Sequence, residues 1–160
     1  MATITKKNLR NEQSHAGAFG NRWSQVYSFE TNASGYFVNS DTPAAAVGIG
    51  DIVRLGLLPA GVRLEDGTVL ISDAFAASTT YKLGFAYTDG VDSTAVPQDD
   101  DYFIVAGTAS SSAARTAANN TAVRPLTLPK DAYLILTNAG AAHSAVGIMD
   151  VVVKGTLVGV

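Results

Sequence analysis

The sequence predicts an all-β protein: a jelly-roll-like β-sandwich of about eight short strands over residues 23–160, preceded by an extended basic N-terminal arm over residues 1–22. Three observations carry this prediction. Apolar residues alternate with a period of two over short runs, turn-forming clusters recur about every 8–12 residues, and no strand–helix–strand rhythm interrupts them. A jelly roll places eight strands in two sheets and tolerates long connections between them. An immunoglobulin-like sandwich is the alternative, although its Cys…Trp…Cys signature is impossible in a chain with no Cys. At 160 residues the chain suits one domain with one ordinary core.

The arm is defined by charge. Residues 1–22 carry Lys6, Lys7, Arg10 and Arg22 against the single acid Glu12, a balance of +3. Residues 23–160 carry seven basic and 13 acidic groups, a balance of −6. A basic, aperiodic leader before an acidic body reads as an arm that orders on a partner. Phe19 and Trp23 favour that reading over a frayed end, because bulky rings in a frayed tail would leave apolar surface in water.

The body reads as strands in order. Trp23, Tyr27 and Phe29 share one face of a first strand, with Ser24, Ser28 and Glu30 on the other. A turn at 32–35 leads to a short strand, Tyr36-Phe37-Val38. Residues 51–58 form a strand that stops at Pro59-Ala60-Gly61, since proline lacks the ladder donor. Asp66-Gly67 between two extended runs predicts a two-residue hairpin turn. In residues 79–87, Tyr81, Leu83, Phe85 and Tyr87 share one face. Further strands begin at 99, 123, 132 and 146, the last rich in β-branched residues at Val151-Val152-Val153. The small-residue stretch 106–122 offers no apolar stripe for a core helix, so it reads as a surface or subunit-facing loop that admits one short helix at 113–118.

Composition excludes several functions. Without Cys there are no disulfides, thiolate metal sites or Cys nucleophiles. Two His, His15 and His143, cannot supply the converging imidazoles of a metal cupin. His143, in Gly140-Ala141-Ala142-His143-Ser144, reads as an exposed loop histidine, and no Gly-x-Ser-x-Gly elbow accompanies it. Asp89, Asp92 and Asp99-Asp100-Asp101 read as a solvated acidic loop, because the EF-hand spacing is missing and adjacent residues of an extended chain alternate in direction. Phosphate-binding glycine loops are missing, and no catalytic residue, metal or cofactor is expected. The start lacks the apolar core of a secretory signal, and no run approaches the ~20 apolar residues of a membrane span.

The surface chemistry is positive evidence. Only 16% of residues are charged, the net charge is −3, and 25 Ala with 15 Gly make up a quarter of the chain. That is less charge than a dispersed soluble domain normally shows, so much of the surface is expected to be covered by other protein chains. The charge gives no nucleic-acid footprint.

Several segments taken in order resemble one family. They are Asp51-Ile52-Val53-Arg54-Leu55-Gly56-Leu57-Leu58-Pro59-Ala60-Gly61-Val62, then Leu83-Gly84-Phe85 with Asp89-Gly90, then Asp100-Asp101-Tyr102-Phe103. Leu128-Pro129-Lys130-Asp131-Ala132-Tyr133-Leu134 and Ile148-Met149-Asp150-Val151-Val152-Val153 complete the set, which spans about residues 50–154. The set resembles the head decoration, or cement, proteins of tailed-bacteriophage capsids. That resemblance implies a jelly-roll-like homotrimer on the outside of the virion, assembled in the host cytoplasm, holding major capsid subunits together. The partners are then the major capsid protein and other copies of the chain, with neither nucleic acid nor membrane. In that setting the partner-binding residues are Lys6, Lys7, Arg10 and Arg22, reaching to acidic ground, with Phe19 and Trp23 as apolar anchors. Two other functions are weighed against it: a tail or adhesion module stacking host carbohydrate on exposed aromatics such as Trp23, Tyr27, Tyr81 and Tyr87, and a small hydrolase built on His143.

Overall fold

A computed structural model describes residues 1–7, 21–42 and 44–158. It holds ten strands: β1 (Thr3–Thr5), β2 (Arg22–Thr31), β3 (Ile52–Leu58), β4 (Val62–Asp73), β5 (Thr80–Tyr87), β6 (Asp99–Thr108), β7 (Ala114–Ala117), β8 (Leu126–Thr127), β9 (Ala132–Ala139) and β10 (Gly147–Leu157). No helix occurs among the described residues.

The strands form two sheets, β1-β3-β9-β5-β6 and β2-β10-β4-β7, with β8 beside β4. Setting aside the short β1 and β8, eight strands remain, and their pairing is that of a ribbon rolled on itself. The first pairs with the last (β2 with β10), the second with the seventh (β3 with β9), the third with the sixth (β4 with β7), and the fourth with the fifth (β5 with β6). All four pairings are antiparallel. This is the jelly roll that the strand count and spacing predicted.

Period-two patterning places the core. On β2, Trp23, Tyr27, Phe29 and Thr31 are buried while Arg22, Ser24, Val26 and Glu30 face solvent. Tyr81, Leu83, Phe85 and Tyr87 line the inner face of β5, as their alternation predicted. These residues meet Val69, Ile71, Met149, Val151 and Val153 of the opposite sheet in one cluster. Each large apolar side chain so buried contributes roughly 1.5–3 kcal/mol. Buried tyrosines also carry polar ties between the sheets. Tyr27 on β2 donates to the Leu57 carbonyl of β3 at 2.6 Å, and Tyr102 on β6 donates to the Leu64 carbonyl of β4 at 3.3 Å and to that of Arg124 at 2.9 Å. Burial raises both phenols above their ordinary range, Tyr102 to about 12.

Three local expectations are corrected. Asp66-Gly67 is no hairpin turn: residues 62–73 run as one strand, held through ten residue pairs with β10. Gly67 is small for packing, since a Cβ there would stand 2.8 Å from the Phe103 ring of the facing sheet. The 106–122 stretch is neither loop throughout nor helical, because Ala114–Ala117 pair with Thr68–Ile71 as β7. The free edge of β4 supplies backbone partners, and that outweighs alanine's preference for helix. Tyr36 and Phe37 make isolated bridges, to Ala46 and Thr31, rather than a strand.

Gly84 marks the tightest approach on the first sheet. A Cβ at this position would collide with the backbone of Asp99 and Asp100, where β6 bulges past β5. Gly84→Ala is expected to cost about 1–3 kcal/mol by overpacking. Urea unfolding followed by Trp23 fluorescence would measure this, and an unchanged midpoint would refute the close approach.

Candidate functional site

The sequence drew attention to the N-terminus, and there the structure brings several elements together. Residues 2–7 lie as an added strand in a slot. On one side β1 pairs in parallel with β3, Ile4 beside Val53 and Thr5 beside Arg54. The Ile52 N–H donates to the Ala2 carbonyl at 3.0 Å, and the Lys6 N–H to that of Arg54 at 3.2 Å. On the other side the Asp41 N–H donates to the Thr5 carbonyl at 2.8 Å, and the Lys7 N–H to that of Asn39 at 2.7 Å. Two carboxylates complete the clasp: Asp51 accepts from the Ala2 N–H at 2.6 Å, and Asp41 from the Thr5 N–H at 2.9 Å. Ile4, 2% exposed, enters the core as a single knob.

The residues assigned to the arm separate into distinct environments. Lys6 is half-buried and donates through Nζ to the Ser28 carbonyl at 3.3 Å. Lys7 is exposed. Arg10 and Phe19 lie outside the described residues. Arg22 opens β2 and pairs with Glu65 at 3.0 Å. Glu65 also accepts from Arg63 at 2.7 Å and Thr156 at 2.8 Å, and those bonds hold its carboxyl below the usual range. Trp23 is 6% exposed and belongs to the core of this chain, so it fixes the root of the segment. Its indole N–H and the side-chain amide nitrogen of Gln25 have no hydrogen-bond partner among the described residues.

Sequence reasoning missed Ile4, Asp41 and Asp51. A usable trace was there: Thr3-Ile4-Thr5 is a β-branched alternation, the pattern of a strand with one buried side chain.

Asp89 and Asp92 are exposed loop residues, as the reading of a solvated acidic loop expects, whereas Asp99, Asp100 and Asp101 lie in β6. Asp89 is held by Lys130 at 2.7 Å, which keeps its carboxyl low, and the same ammonium lies 4.5 Å from the centre of the Tyr87 ring. Asp99, Asp100 and Asp101 do converge, with carboxylate oxygens within 4.8 Å of one another. Bulging of β6 against β5 breaks the simple alternation that would have pointed them apart. Burial first, then the neighbouring acids, pushes the Asp99 carboxyl up. Lys82 stands 3.4 Å from both Asp100 and Asp101 and supplies the countercharge.

His143 is not an exposed loop residue. It is 3% exposed, packed edge-on against Phe75 at 4.8 Å and Phe29 at 5.5 Å between ring centres. Its Nδ1 has no hydrogen-bond partner among the described residues, and burial depresses its pKa to about 4. A hydrolytic triad needs this nitrogen oriented by a carboxylate. The rings weighed as sugar platforms are also inside: Trp23, Tyr27, Tyr81 and Tyr87 are all buried. Two cavities bounded by described residues measure about 190 Å³, beside Lys6, Glu30 and Asn39, and about 80 Å³, beside Glu65 and Tyr102. Both fall short of the roughly 300 Å³ at which small-molecule sites begin.

No sequence-family model matches the chain, and no curated protein matches it by sequence. By structure it is similar to a chain of the capsid of Ralstonia phage GP4, with a TM-score of 0.64 and 13% identity over 97% of each chain. It is also similar to a chain of the cyanophage Pam1 capsid asymmetric unit, with a TM-score of 0.54 and 18% identity over 92% of this chain and 93% of that one. At these identities the likeness is one of fold, and it extends over essentially the whole length.

Burial of neutral His143 has a definite sign. Unfolded, the imidazole takes up a proton near 6.5; folded, near 4. Acid between those values therefore favours the unfolded chain. The stabilisation is complete above about pH 6.5 and is lost progressively towards pH 4, by about 3 kcal/mol in all. For a domain of this size that is roughly 6–12 °C in Tm. His143→Phe keeps a ring in the aromatic cluster and removes the proton. Its Tm should fall less than the parent's between pH 7 and 4.5, and parallel curves would rule the account out.

Proposed function

We propose that this chain is a structural virion protein of a tailed bacteriophage, a decoration module that binds the outside of the capsid as a homotrimer and braces contacts between major capsid subunits. The observation that carries this reading is the end-to-end likeness of its jelly roll to a chain of the Ralstonia phage GP4 capsid. The cyanophage Pam1 chain supports it independently. The low surface charge and the burial of the rings considered for sugar stacking point the same way. A multivalent module holds by several modest contacts, each kept near its site by the others, so dissociation is slow.

In this reading the basic segment meets acidic ground on the shell. Lys7, exposed at the end of the N-terminal slot, and Arg10 provide charge at its start, and Arg22 provides it at the root of β2. Phe19 supplies an apolar anchor, while Trp23 holds the root from inside the core. Attraction of this kind weakens as salt shortens the Debye length.

Co-sedimentation with phage shells, followed by electron microscopy of the loaded particles, tests the proposal. Saturable binding at regular positions on the outer surface is the expected result. A chain that never associates with shells, or that is found only in the tail, defeats it. Lys7→Glu with Arg10→Glu should leave the circular dichroism spectrum and Tm unchanged while lowering shell occupancy several-fold at ~0.15 M salt. Equal occupancy would remove the basic segment from the mechanism.

A further inference from the structure

Residues 1–7 occupy their slot like a separate peptide. Their pairing with β3 is parallel, whereas the pairings of the eight-strand roll are antiparallel. Removing β1 leaves each of those ladders whole, because β3, at the sheet's edge, is its one strand partner among the described residues. Both walls of the slot belong to the body: β3 on one side, and residues 39–41 on the other, with Lys6 bridged to Ser40. The occupant is recognised in two ways, by backbone bonds along both edges and by one apolar pocket filled by Ile4. That is how an extended peptide is taken up by strand addition.

The length of chain between slot and body is generous. Lys6 reaches the Ser28 carbonyl, so the strand leaves the slot beside the middle of β2. Asn21 is held at the far end of β2, its carbonyl accepting from the Leu157 N–H at 2.7 Å. Ser28 lies six steps along the strand from Arg22, about 20 Å. A chain of thirteen residues, the number from 8 to 20, can span at most about 45 Å, roughly twice what an internal connection requires. A self-contained strand, a preformed acceptor and spare tether are the conditions under which identical elements exchange between copies.

We infer that the slot between β3 and residues 39–41 takes the N-terminal strand of a second copy of this chain, so that copies are joined by exchange of β1. This stands apart from the virion reading and holds with or without a shell.

The absence of Cys makes a clean test possible. Thr5 and Arg54 are register partners, and neighbouring strands lie within disulfide reach. One full-length chain carries Thr5→Cys, and a second, mass-tagged, carries Arg54→Cys. Mixed at ~100 µM and oxidised, they should give a mixed disulfide as the main product, and Thr3→Cys with Ile52→Cys should do the same at a second register pair. The Thr5→Cys/Arg54→Cys double variant should give a ladder of linked chains. Internal closure of that double variant with no mixed product at either pair overturns the proposal, and so does failure of every pair to link. As a second measure, a labelled peptide of residues 1–8 should bind the chain lacking residues 1–7, with at least tenfold weaker binding for its Ile4→Asp form. Equal binding of the two peptides would make the slot a general strand acceptor, and that outcome also overturns the proposal.

Discussion

The structure depends on how the last strand is placed. β10 lies between β2 and β4 and pairs along ten residues with each. Its inner side chains, Met149, Val151 and Val153, sit at the centre of the core. Without it β2 would have no neighbouring strand among the described residues, and Trp23, Tyr27 and Phe29 would lose their wall. The equivalent role in the facing sheet falls to β9, between β3 and β5. Both central strands come from the C-terminal quarter of the chain. Closure therefore requires long-range pairings, which makes folding slow relative to a protein built from local hairpins.

Once the roll is closed, its edges decide what the molecule can meet. The β6 edge is blunted by Asn119 and Asn120, whose backbone N–H groups donate to the Phe103 carbonyl, while the Asn119 side chain accepts from the Val105 N–H. The β4 edge is covered by β7 and β8. The β3 edge is covered by β1, the first strand of the chain. Covering an edge prevents indiscriminate strand pairing, and covering it with a tethered peptide leaves an edge that can be filled selectively.

The connecting end near residues 138–146 shows how polar and aromatic groups fix a loop. Asn138 donates to the Gly48 and Ala141 carbonyls, at 2.9 and 3.0 Å, and ties β9 to the segment before β3. The His143 backbone N–H donates to the Val47 carbonyl, and a side chain on Gly35 would strike the His143 backbone. The imidazole is thus a packing ring between Phe29 and Phe75, kept neutral by burial.

By itself the sequence determined the fold class and most of the inner face. Alternation at Trp23–Phe29 and Tyr81–Tyr87, and the β-branched run at Val151–Val153, states which side of each strand is apolar, because side chains of a strand alternate whatever its partners. What it left open depended on contacts between distant segments. Asp66-Gly67 has the local chemistry of a turn, yet the ladder to β10 and the Phe103 ring keep it extended. Ala114–Ala117 has no strand pattern, yet the edge of β4 makes it one. The three aspartates converge through a bulge that only pairing creates, and His143 is buried by rings more than 60 residues away in sequence. Local patterning fixes faces; the neighbours that meet those faces are chosen by chain closure, and no short window of residues contains that information.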